Sequence, residues 1–405
     1  MSLCDKPTRE RESGCSDAQD FCRKINPMHI DSIELFHLAL PLKKPLPSPA
    51  GPCDRLQTVL VRMQSGEAVG WGEASPGNGP WSGPDWAAGV FLCVRDWLAP
   101  RLVGTEIDSG RALQERLASV QGNRFAKAAL DTAWWDLHAR VQGVPLHELL
   151  GKARDAVELG ASFDRMESID EFLEAIGRAF ESGVARVELK FRPGWDIPMV
   201  AAVRQSFPVQ TIHIDVEGSM RLDHMEMLCR LDDFSLTMIE QPLEPDDLVG
   251  SAMIGETIRT PVGLDEGIAT PHQAEMALDL HSAKYVNLKL GRVGGFTPAM
   301  EIHDACQEHG VSCFAGAMPQ TGIGTRHGLA LAAKANCTYP ADFLPMAELL
   351  ETDLTPPVVP IRDSDDNLLR VRLWSEPGIG VEPDPALLEK LSVASCRLSE
   401  PATEH

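Results

Sequence analysis

The chain has 405 residues, long enough for two domains or for one large domain with a cap. Apolar residues make up 43% and charged ones 24%, the balance of a globular protein with a sizeable core. Its 37 Lys and Arg face 59 Asp and Glu, a formal charge of -22 that argues against nucleic acid and anionic membranes as partners, since both need a basic footprint.

Residues 1–27 are polar and charged, without the apolar stretch of a signal peptide, and are expected to form a mobile extension. No run of 18 apolar residues occurs, so no membrane span is expected. The ten cysteines are scattered from Cys4 to Cys396 with no C-x-x-C pair, which removes a zinc knuckle or redox dithiol. Reduced thiols in a cytoplasmic protein are the expectation.

From Asp31 onward SIELFHLAL, LQTVLVRM and AVGWGEAS read as three antiparallel strands. Two loops dense in Pro and Gly interrupt this region, PLKKPLPSPAGPCDR and SPGNGPWSGPDW. Loops of that length are usually functional. DWAAGVFLCVRDWL and NRFAKAALDTAWWDLHARVQG then carry helical spacing, the second closing at Gly143. Residues 28–150 therefore read as an α+β capping domain, joined by the tail 365–405.

After Gly151 the pattern becomes strand, loop, helix, repeated through residue 364. Strand ends fall near Ser162, Lys190, Asp215, Glu240, Asp265, Lys289, Gly316 and Asp342, with amphipathic segments such as SIDEFLEAIGRAFESG between them. The fold class is α/β, a modified (β/α)8-type barrel of the (β/α)7β form, with the α+β cap beside it.

Five consecutive strand ends are charged: Lys190, Asp215, Glu240, Asp265 and Lys289, separated by 25, 25, 25 and 24 residues. In a parallel barrel the carboxyl ends of the strands open on one face. Three carboxylates brought together there repel one another unless a cation sits among them. With no Cys or His at these strand ends, the oxygen donors suit Mg2+, with Mn2+ as the alternative. Lys190 and Lys289 on the outer strands would flank the metal from opposite sides. A bound carboxylate between them would offer its α-carbon to one lysine on each face, for proton abstraction at one and charge stabilisation at the other. Taken alone, Asp265 could equally be a helix N-cap, and a lone lysine at a barrel mouth is more often solvated than catalytic. The register of all five carries the reading.

From Ile30 to Leu391 the motifs resemble the enolase superfamily and, within it, the muconate-lactonising-enzyme subgroup. GWGEAS and NRFAKAALDTAWWDLHARVQG are similar to that family's cap, and ELKFRPGWD resembles its K-x-K strand with P-G-x-D. HIDVEG, IEQPL, GLDEG and VNLKLGRVGG resemble its metal and second-lysine strands, while MPQTGIG resembles M-x-E-T-G-I-G. Lysine or histidine bases working with Mg2+ are a known property of enolase-superfamily sites.

The resemblance implies Mg2+ on Asp215, Glu240 and Asp265, with Lys190 and Lys289 as the acid/base pair. It implies supporting or substrate-binding roles for Glu266, Asn287, Met318 and Gln320, and lids at Pro49–Asp54 and Ser75–Asp85. The chemistry implied is dehydration of the o-succinylbenzoate-synthase type or N-succinylamino-acid racemisation on a small carboxylate, in an association of identical chains. Dipeptide epimerisation, muconate cycloisomerisation and a non-catalytic metabolite binder are the alternatives. Three positions depart from the family pattern: Glu188 replaces the first lysine of K-x-K, Glu217 replaces an asparagine, and Gln320 replaces a glutamate. Glu188 shares a strand face with Lys190 and should raise its pKa.

HELLG at His147 lacks the second histidine of a zinc-protease motif, and GIGTRHG has the wrong spacing for a dinucleotide fingerprint. The latter is still expected to offer helix N-terminal amides to a substrate carboxylate. Trp134 and Trp135 read as helix packing, and Trp81 and Trp86 as loop residues near substrate.

Overall fold

A computed structural model describes residues 27–81 and 83–400. Apart from Pro27, the expected N-terminal extension lies outside the described residues. In the cap, β1 (Ser32–Leu46), β2 (Cys53–Ser65) and β3 (Ala68–Ala74) form an antiparallel meander. Each strand carries a continuous run of buried residues, His37 to Leu40, Val59 to Val61 and Gly70 to Ala74 among them, so the sheet is largely covered. Helices α1 (Ala87–Cys93), α2 (Gly110–Leu117) and α3 (Arg124–Gln142) cover that sheet.

The contact between α3 and β3 is backbone against backbone. A methyl group at Gly72 would lie 2.0 Å from the Ala129 carbonyl, and one at Gly70 would lie 2.3 Å from that of Ala133. Gly72→Ala is accordingly expected to force the helix off the sheet and to lower stability by about 1–3 kcal/mol, the usual range for overpacking. A urea midpoint equal to that of the parent chain would contradict this.

Eight parallel strands follow in the described residues. They are β4 (Ala156–Phe163), β5 (Arg186–Lys190), β6 (Ile212–Asp215), β7 (Ile239–Glu240), β8 (Val262–Leu264), β9 (Tyr285–Leu288), β10 (Ser312–Ala315) and β11 (Ala341–Asp342). Seven helices alternate with them: α4 (Ile169–Ser182), α5 (Ile197–Ser206), α6 (Met225–Leu231), α7 (Leu248–Thr257), α8 (Pro271–Asp279), α9 (Phe296–Glu308) and α10 (Gly322–Ala332). This is the (β/α)7β order expected from the repeat. Each strand from β4 to β10 pairs in parallel with the next, and β11 returns to pair with β4.

The tail divides differently from the reading that sent it all to the cap. β12 (Leu369–Arg372) runs antiparallel to the start of β4 and so belongs to the barrel sheet. Only after α11 (Pro385–Leu391) does β13 (Ser392–Ser399) join the cap, along β1. An R-x-R strand carries no mark of which sheet edge it will meet, since β pairing is decided by the partner.

Within the described residues the cysteines are free thiols, and no helix is long and apolar enough to cross a membrane. Trp134 and Trp135 pack edge to face inside the cap, as their helical spacing implies.

Candidate active site

The parallel register sets the site. Lys190 on β5 stands opposite Asp215 on β6, which stands opposite Glu240 on β7. Asp265 follows β8 directly, and Lys289 follows β9. The five strand-end charges thus occupy five consecutive strands, with the carboxylates in the middle and an ammonium at each end.

Each outer carboxylate is drawn to its neighbouring cation. Lys190 Nζ donates to Asp215 Oδ2 at 2.6 Å and also lies 2.9 Å from Glu188 Oε1 and 3.2 Å from Glu217 Oε1. Lys289 Nζ donates to Asp265 Oδ2 at 2.6 Å. Arg292 reaches the same carboxylate, with Glu266 3.6 Å from its guanidinium. Between the two pairs, Asn287 Nδ2 donates to Glu240 Oε1 at 2.7 Å. Glu240 Oε2 is buried without a hydrogen-bond partner.

Burial lowers the pKa of Lys190, but the charges of Glu188, Asp215 and Glu217 outweigh it and hold the amine far above its ordinary value. The expectation that Glu188 would make Lys190 a poorer base thus has a geometry behind it. Asp215 is pushed up to about 7, first by burial and then by the charge of Glu240. Glu240 also rises to about 7, through burial and then Glu188. A buried carboxylate oxygen without a donor, on a strand between two further acids, suits a hard divalent cation. Asp215 and Asp265 nevertheless turn toward lysine and arginine, and Glu240 toward Asn287 and His213, rather than toward one another. Among the described residues the trio whose ligand atoms come within 4.8 Å of one another is Glu188, His213 and Glu240.

His213 is an inward-facing residue that a reading of the strand ends alone passed over. It lies two residues before Asp215, shares its inward face, and is fully buried, with Nε2 3.2 Å from Glu240 Oε2. Alternation along H-I-D was the available signal. R-V-E-L-K hides a second missed residue, since Arg186, Glu188 and Lys190 all face inward. Arg186 is fully buried, passes β4 at Gly160 and bonds Asp342 and the Pro340 carbonyl on β11. Phe314 and Tyr339 flank its guanidinium.

The N-terminus of α10 is a further correction. Its amides are taken by protein carboxylates and so do not wait for a substrate. Glu73 on β3 accepts from Thr321 N at 2.9 Å, Thr321 Oγ1 at 2.6 Å and Gly324 N at 2.8 Å, while Asp353 accepts from Gly322 N. A helix N-terminus favours negative charge, and two acids supply it.

Beside this junction a cavity of about 30 Å³ is lined by Lys289, Met318, Gln320, Glu73 and Ser75, among others. That volume holds a water or two. Met318 and Gln320 thus sit next to Lys289, whereas Glu217 lies on the Lys190 side. The loop after Ser75 is tied to β2 by the Asn78 side chain, which accepts from Gln57 N and donates to the Arg55 carbonyl. Trp81 and Trp86 are exposed.

Known proteins match this arrangement along most of the chain. Residues 32–151 fit the family model described as the N-terminal domain of mandelate racemase and muconate lactonizing enzyme, and residues 171–387 fit the enolase C-terminal domain-like model. The chain belongs to the mandelate racemase/muconate lactonizing enzyme family of the enolase superfamily. It is accordingly an enolase-superfamily enzyme.

Within that family the chain is 34% identical to an o-succinylbenzoate synthase of Geobacillus kaustophilus, over 90% of this chain and 96% of the other. It is likewise 34% identical to an N-succinylamino acid racemase of Amycolatopsis sp, over 91% and 98%. An enolase-superfamily member of Listeria innocua superposes with a TM-score of 0.86 at 28% identity, over 92% of this chain and 99% of that one.

Proposed function

We propose that this enzyme abstracts the α-proton of a small carboxylate substrate through an enolate. The reaction closest in kind is o-succinylbenzoate-synthase-type dehydration or N-succinylamino acid racemisation, the activities named for its 34%-identical relatives. The observation that carries this reading is the run of ammonium, three carboxylates and ammonium across five adjoining strands.

In this reading Asp215, Glu240 and Asp265 hold Mg2+, or Mn2+ in its place. When bound, the ion supplies positive charge for a substrate carboxylate gaining electron density. The remaining work falls to the side chains. Lys190, hemmed by Glu188, Asp215 and Glu217, keeps its proton and serves as acid and counter-charge. Lys289, which meets one carboxylate shared with Arg292, serves as the base. Asn287 holds Glu240 in place, and Glu266 steadies Arg292. Met318 and Gln320 border the substrate. The loops Pro49–Asp54 and Ser75–Asp85 are assigned to substrate selection. Asp342 is already engaged by Arg186, which argues against its gripping a substrate amine and so against dipeptide epimerisation.

Exchange of the α-proton with deuterated water, followed over a panel of N-acyl amino acids and succinylbenzoate precursors, tests the reading. Exchange on at least one of them with Mg2+ present is expected. A complete absence across the panel would leave a metabolite binder as the better description.

Metal dependence should also show in stability. A carboxyl whose folded pKa is raised contributes stability that is complete below its unfolded value, near 3.8 for Asp and 4.5 for Glu, and lost as pH rises through about 7. At pH 8 Asp215 and Glu240 are therefore strained anions that a cation relieves, while at pH 6 protons compete with it. Mg2+ at a hundred times its Kd is expected to add about 2.7 kcal/mol at pH 8 and clearly less at pH 6. Calorimetric melts at the two pH values decide it, and an equal gain at both would count against this role for the acids.

A further inference from the structure

Glu188, His213 and Glu240 are not used together by the proposed reaction. We propose that these three residues form a second metal site inside the barrel, selective for a borderline divalent transition ion such as Co2+, Zn2+ or Fe2+. The site lies one inward-facing position deeper than the strand-end acids, because His213 and Glu188 each stand two residues before Asp215 and Lys190.

Three observations support it. All three side chains are buried, at 4%, 0% and 1% exposure. Their ligand atoms lie within 4.8 Å of one another, with His213 Nε2 3.2 Å from Glu240 Oε2 and 3.7 Å from Glu188 Oε2. Two ligands held about 2.1 Å from one ion at tetrahedral angles sit about 3.4 Å apart, so both separations suit a shared metal.

Neither His213 Nε2 nor Glu240 Oε2 makes a hydrogen bond, although both are sealed from solvent. An imidazolium bridging two carboxylates would be expected to aim its N–H at one of them. Here the other ring nitrogen, Nδ1, lies 3.0 Å from the Tyr339 hydroxyl. The tautomer that donates from Nδ1 to that oxygen leaves the Nε2 lone pair facing the carboxylates, the usual outer support of a metal-bound histidine.

The donor set decides the class of ion. Two carboxylates and an imidazole suit Zn, Co or Fe better than Mg, which prefers oxygen and water. The competing cation is Arg186, whose Nη1 lies 3.6 Å from Glu188 Oε2. That guanidinium is already held by Asp342 and the Pro340 carbonyl. Lys190 meets the other oxygen of Glu188, Oε1.

The test loads the metal-stripped full chain with Co2+ in the presence of millimolar Mg2+. One equivalent of Co2+ with a visible d–d band is expected. It should fall below a tenth of an equivalent in both His213→Gln and Glu188→Gln, and persist in Asp265→Asn. Loss in Asp265→Asn with retention in His213→Gln would put the ion at the strand ends and overturn the proposal, while leaving the catalytic reading intact. Failure to bind any Co2+ over Mg2+ would overturn it as well. Should the variants fold poorly by circular dichroism, X-ray absorption at the cobalt edge of Co2+ bound to the parent chain under millimolar Mg2+ decides. Scattering from one imidazole supports the site, and an all-oxygen shell rejects it.

Discussion

Lys289→Ala is expected to lower the rate of α-proton exchange by about a thousandfold, within the 10²–10⁴ that a positioned general base contributes. Lys190→Ala should cost a comparable factor for a different reason. Its ammonium lies against Glu188, Asp215 and Glu217, so removing it deletes the acid and counter-charge rather than the base. Glu188→Gln removes one of the three carboxylates around Lys190 and should lower the pH at which that amine titrates. Exchange rates in deuterated water across pH for the three variants are the measurement. Exchange that survives both lysine replacements would refute the assignment of either as acid or base.

Asp342→Ala should be the most damaging change away from the lysines. Arg186 has no exposed surface, and its charge is held by Asp342 at the strand that closes the barrel. Deleting one partner of a buried pair leaves an uncompensated charge, a loss of about 3–5 kcal/mol. Asp342→Asn keeps an acceptor and should lose less. Gly160 belongs to the same unit, since a methyl group there would lie 2.2 Å from Arg186 Nε on the path to β11. Denaturant titrations placing Asp342→Ala within 1 kcal/mol of the parent would show that the pair does not close the barrel.

Much of this architecture is legible in the chain because five successive βα units each put one charged residue where a strand opens. The spacing of Lys190, Asp215, Glu240, Asp265 and Lys289 is thus a projection of the barrel onto the sequence. What sits one layer deeper leaves a weaker trace. Arg186 and His213 stand inside short apolar runs, where period-two alternation alone tells which face they occupy, and nothing local announces their partners. Glu73 is harder still. Its donors belong to a helix start 248 residues away, so an observer of either segment sees only an acid in a strand and a glycine-rich helix start. The orientation of Asp215 and Asp265 toward lysine and arginine was likewise beyond pattern, because it depends on which cation is nearest once the strands have twisted.

The clasp formed by Glu73 has a practical consequence for engineering. One half of the molecule contributes a single acid, and the other contributes a receptor of Thr321 and Gly324 built for it. A chimera that grafts the front portion of a relative onto this back portion would have to carry the lock with the key. Shuffling at residue 151 alone would succeed where both parents share this clasp and fail where they do not.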